Sequence, residues 1–162
     1  MKKILAFAML ASLSACGKDA PPSQEVNRPP PPKFVADGNA PSPSVAVDFI
    51  KKYSDVTQAA IDRTPYGVKD SDEQMRAAQA LYKVDREYLT GWLAAGLALF
   101  QAAHSNTCET YVRSAFVTWQ DAYPLNGPPV QAALDSKRDH ASETAKLRDF
   151  CLHATTLPIW GA

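Results

Sequence analysis

Neither sign of charge predominates in this sequence: lysine plus arginine and aspartate plus glutamate number 17 each. Such a balance excludes the basic footprint by which proteins hold nucleic acid or an anionic membrane surface. The short signatures of common chemistry are missing too, with no GxSxG, HExxH, P-loop, GxGxxG or, in the body of the chain, SxxK. Histidine is scarce, at three, and no carboxylate cluster stands on an apolar background. These shortages speak against an enzyme, although acid, base and nucleophile can also be assembled from distant parts of a chain. No cofactor or metal is implied. No alternating run of β-branched residues competes for a sheet.

What is present begins at the N terminus. Lys2 and Lys3 precede the uncharged run from Ile4 to Leu13, the layout of a secretory signal, which is an export tag and no part of the fold. At its foot stand Leu13, Ser14, Ala15 and Cys16. This motif resembles the bacterial lipobox, in which a small residue before cysteine permits cleavage and the sulfur receives a diacylglycerol. The resemblance implies a lipoprotein with a signal peptide at 1–15 and lipidation at Cys16; it says nothing about the body of the chain. The competing reading, an ordinary signal cut after Ala20, places Pro21 just past the cut, where its ring fits poorly. One acyl chain binds a membrane marginally, whereas each further buried methylene adds about 0.8 kcal/mol, so two or more chains anchor stably. Gly17 rather than aspartate follows Cys16. By the same resemblance, Gram-negative sorting implies the outer membrane, with the protein facing the periplasm.

Three cysteines are an odd number for an exported chain until Cys16 is assigned to lipid. The remaining pair, Cys108 and Cys151, has no CxxC spacing and is expected to form a disulfide in an oxidising compartment. Closing so long a loop contributes about 4 kcal/mol in the chain-entropy model.

Eight of the 13 prolines fall between Gly17 and Ser44, a composition that favours extended polyproline II and buries little. Residues 16–44 therefore read as a disordered tether with a reach of roughly 85 Å. A ligand for a proline-reading domain is the rival reading of this stretch.

From Val45 the spacing turns helical. Val45, Phe49, Tyr53, Val56 and Ala60 predict a helix over 45–62, stopped by Pro65 and Gly67. Ser71 to Gln74 fits a capping box, opening a second helix that runs to His104 through Tyr82, Leu89, Trp92 and Phe100. A cap at Asn106 to Glu109 opens the third, and the prolines near 128 precede a fourth over 129–154. The expected fold of residues 45–162 is all-α, an irregular four-helix bundle with one disulfide. Antiparallel third and fourth helices bring the cysteines together only if unequal arms, about 22 Å and 33 Å from the intervening loop, are reconciled.

The uncharged stretch 88–108 holds only about 15 properly apolar residues, short of a membrane span, and reads as a buried helix. Tyr88, Trp92, Tyr111, Trp119 and Tyr123 supply the core or line a ligand groove between helices. Trp160, beyond Pro158, either folds back over the bundle or stands as a partner contact. His140 with Glu143 offers two metal ligands at helical spacing, opposed by Lys137, Arg138, Lys146 and Arg148, and two ligands make no site.

These features point to a membrane-anchored, non-enzymatic lipoprotein whose helical domain binds another envelope protein, as an immunity or exclusion inhibitor or an assembly factor. The resemblance of plan to helical immunity proteins is one of architecture alone. The alternative is a small-ligand carrier or sensor, which a cavity larger than a few waters between the helices would favour. A cell-wall enzyme comes third.

Overall fold

The structure, a computed structural model, describes residues 28–34, 40–64, 72–123, 131–157 and 160. Four helices account for most of them: α1 (Pro43–Asp62), α2 (Asp72–Ala102), α3 (Asn106–Ala122) and α4 (Gln131–Ala154). The chain is thus an all-α four-helix bundle. Helix α3 packs against each of the other three, and α1 meets α4 only lightly.

Helix α1 starts two residues earlier than the apolar stripe suggests. Ser42 is extended, with φ −64° and ψ 150°, and its hydroxyl accepts from the Val45 N–H, while Pro43 occupies the first turn. There the missing proline N–H costs nothing, because that group has no intrahelical partner. The buried face repeats every three or four residues through Ala46, Phe49, Ile50, Tyr53, Thr57 and Ala60.

Helix α2 is 31 residues long, and Gly96 lets it approach its neighbours closely. A Cβ there would come within 2.8 Å of the Phe49 ring and 2.9 Å of Val112. The helix ends at Ala102, two residues before the expected His104. His104 itself takes a left-handed conformation, φ 52°, while its N–H donates to the Gln101 carbonyl and that of Ser105 to Phe100. This is a Schellman stop with histidine where glycine is usual.

Helix α3 opens one residue earlier than its expected cap. Ser105 is the N-cap, and its side chain makes no capping bond. The capping box at Ser71 and the prolines before α4 lie outside the described residues.

Cys108 and Cys151 form a disulfide, Cα to Cα 4.8 Å. It is one of four ties that set α3 and α4 antiparallel: Thr144 also bonds Ser114 at 2.7 Å and Thr118 at 2.8 Å, and His140 meets Asp121 at 2.9 Å. His140 is therefore level with the last turn of α3. The first two turns of α4 run past it, about 10 Å of overhang, and this overhang reconciles the unequal arms.

The main core gathers aromatic rings around Phe49, which lies 5.7 Å from each of Tyr53, Trp92 and Phe100. A smaller cluster centres on Trp119, with Tyr82 stacked on it at 5.2 Å and Tyr123 edge-on at 5.5 Å. Among the described residues no helix is long and apolar enough to cross a membrane.

Within the stretch read as a tether, residues 28–34 form a strap on the body. Phe34 lies edge-on to Phe49 at 5.8 Å, and Pro31 covers Gly91, where a Cβ would fall 2.8 Å from the proline ring. Tyr88 donates its hydroxyl to the Pro29 carbonyl at 2.9 Å. A proline-rich backbone has little freedom left to lose, so a side-chain donor captures its carbonyls at low entropic cost. The signal peptide at 1–15 and Cys16 lie outside the described residues.

Candidate functional site

Light contact between α1 and α4 leaves a groove floored by α3. Its volume is about 290 Å³, room for roughly ten waters at ~30 Å³ each. One wall is a turn-by-turn row on α1: Ser54, Thr57, Gln58 and Ile61. The floor is Tyr111, Ala115, Thr118 and Ala122 of α3, where two alanines keep the hollow open. The other wall is Lys137, Ala141, Thr144, Ala145 and Arg148 of α4, a spacing that puts all five on one helical face.

Among the described residues the groove's lining carries cations, hydroxyls, an amide and apolar residues, and no carboxylate. Arg148 shares its Nε and Nη2 with Asp149, an exposed neighbouring pair of little strength. Thr118 and Thr144 bond each other, but the Oγ1 of Thr57, a residue 5 % exposed, has no hydrogen-bond partner among the described residues. Burial pushes the Tyr111 phenol up to about 12, opposed by Ser54 and by the charge of Arg148. Beneath it, Tyr53 donates to the Val112 carbonyl at 3.0 Å. Burial, and then Tyr111, hold the Tyr53 phenol far above its ordinary value.

A second polar centre sits across the bundle. The carboxylate of Asp85 is fully buried and receives Arg28 at 2.6 Å, Arg63 at 3.2 Å and the Tyr123 hydroxyl at 2.8 Å. Burial and the adjacent carboxylate raise the Tyr123 phenol well above its usual range. With three donors around it, Asp85 is saturated, and its effect is to tie the strap and the ends of α1 and α3 to α2.

The aromatics singled out by spacing divide accordingly. Trp92, Trp119 and Tyr123 are buried in the core, Tyr88 is partly buried beneath the strap, and only Tyr111 borders the groove. Trp160 is folded back: its indole N–H donates to the Pro41 carbonyl at 2.8 Å and its ring lies edge-on to Phe100 at 6.4 Å. As a free-standing partner contact it is therefore poorly placed. His140 bonds Asp121 instead of joining Glu143, and no group of three metal-ligating side chains occurs among the described residues.

The groove was missed by reading for aromatic stripes. Its signal was the row from Lys137 to Arg148 on α4, visible in sequence only as a charged face. The chain matches no family model, and no curated protein or solved structure is significantly similar to it.

Proposed function

We propose that the chain is a lipid-anchored cell-envelope protein that carries or senses a small ligand in the groove between α1, α3 and α4, without catalysing a reaction. The observation that carries this reading is the groove, whose volume of about 290 Å³ falls just short of the usual span of ligand pockets, about 300–1,000 Å³, and suits a small ligand. A filled interface would have favoured a surface for another protein. Attachment through Cys16, and an outer-membrane position facing the periplasm, rest on the lipobox resemblance.

Native mass spectrometry of the lipoprotein drawn gently from its own envelopes tests the ligand reading. A discrete small-molecule adduct is expected, lost when Ala141→Trp fills the groove; an adduct-free wild type rejects it. Replacing Cys16 with Ala should release the protein from washed membranes, and unchanged sedimentation would reject the anchor.

A second reading, docking to an envelope protein as inhibitor or assembly factor, draws support from Phe150 of α4, which is 62 % exposed. Crosslinking in whole envelopes should then yield one specific adduct that Phe150→Asp abolishes.

A further inference from the structure

Resting on the ligand reading above, we propose that the groove takes an elongated small molecule with an anionic group, carboxylate or phosphate, at each end. The two cations of the wall lie at opposite ends of the groove. Lys137 and Arg148 are eleven residues apart on one face of α4, about 16 Å along the helix axis. The register set by Cys108 and Cys151 brings Tyr111 level with Arg148, and the charge of Arg148 acts on that phenol. By the same register Ala122 is level with Lys137.

Between the two ends the surface changes character. Ala115, Ala141 and Ala145 offer small apolar area, interrupted by the hydroxyls of Thr118 and Thr144. Such a middle suits an uncharged chain. Among the described residues, nothing in the groove's wall neutralises the cations from inside. Asp149 bonds Arg148 from an exposed position, and Asp62 is held by Gln58 at 2.8 Å. Asp55 acts on Tyr111 from α1 but does not line the groove. A guanidinium presents paired N–H donors to a carboxylate or phosphate, and an ammonium serves as a compact point charge for the same groups.

Thr57 stands between Ser54 and Ile61 on the α1 wall, so its methyl group reports on an occupant of the groove.

The test uses the complete lipoprotein held in nanodiscs, with its threonine methyl groups labelled for NMR. It is titrated with α,ω-dicarboxylates from succinate to dodecanedioate and, separately, with alkane bisphosphates of matching lengths. Saturable shifts at Thr57, Thr118 and Thr144 are expected, with affinity peaking at one chain length; the better of the two series identifies the end group. Lys137→Ala and Arg148→Ala should each weaken the best binder about tenfold, the scale of one charge-assisted hydrogen bond, while Lys137→Arg retains it. A monocarboxylate of that length should resemble the single variants. If the matching uncharged diol binds as tightly, the anionic inference is overturned and the ligand groove stands. If no compound of any charge shifts the three threonines, both fall.

Discussion

On the α2 flank of α1, Phe34 and Pro31 of the strap rest against Phe49 and Gly91, Tyr88 grips the Pro29 carbonyl, and Arg28 reaches Asp85. On the α4 flank, Ser54, Thr57 and Ile61 face a hollow, with Lys137 at its rim. The first furrow is filled by the chain's own residues, and its buried carboxylate is matched with three donors. The second is left open by the chain's own residues, and its described lining carries two cations and no carboxylate. The contrast shows what a completed surface looks like in this bundle, and makes the unfinished one informative about what it receives.

The contrast is most severely tested at Asp85. Asp85→Ala leaves Arg28 and Arg63 without their buried acceptor and should cost about 3–5 kcal/mol, read from chemical denaturation. A loss below about 1 kcal/mol would mean that the strap side is no better satisfied than the groove side.

Alkaline pH probes the groove side. A phenol held up in the folded state favours folding fully below the unfolded value of 10.0. That contribution drains away as pH rises through the folded value of about 12 at Tyr111. Thermal melts from pH 9 upward should lose stability above about 10, by about 2–3 kcal/mol for this residue once fully titrated, and Tyr111→Phe should soften the slope.

Arg28→Ala should cost about 1.5–3 kcal/mol and loosen the strap. Limited trypsin digestion would show it as faster cleavage after Lys33. Unchanged cleavage would detach Arg28 from the job of holding residues 28–34.

The smallest effect has the opposite sign. Thr57→Val deletes an unmatched buried hydroxyl and should stabilise the ligand-free protein by about 1 kcal/mol. Destabilisation would indicate that Thr57 is already bonded, with the Tyr53 phenol beside it as the partner.

The helices were legible because burial leaves a period. Phe49, Tyr53 and Ala60 on α1, and Tyr111, Ala115 and Trp119 on α3, recur at the spacing a helix needs to present one face. The cysteine pairing was legible once Cys16 was set aside. The strap was not, because a proline-rich segment docks through ring faces and bare carbonyls, which leave no periodic pattern. Asp85 sits between Val84 and Arg86 like any surface acid, and the partners that bury it come from far along the chain, Arg63 at 22 residues and Tyr123 at 38. The α4 wall could be drawn from spacing alone. Its opposing walls could not, since only the packing of α1 and α3 sets Thr57 and Thr118 across from it.

The docked strap also decides how load would travel through a chain fastened at Cys16. In a chain so fastened, the backbone from that cysteine to Arg28 could reach only about 40 Å at full stretch, and the body would ride close to the leaflet. Tension arriving from the lipid would meet the ion pair at Asp85 before it met α1. Force would thus enter the bundle through the middle of its longest helix, sparing the first turn of α1 from being peeled away.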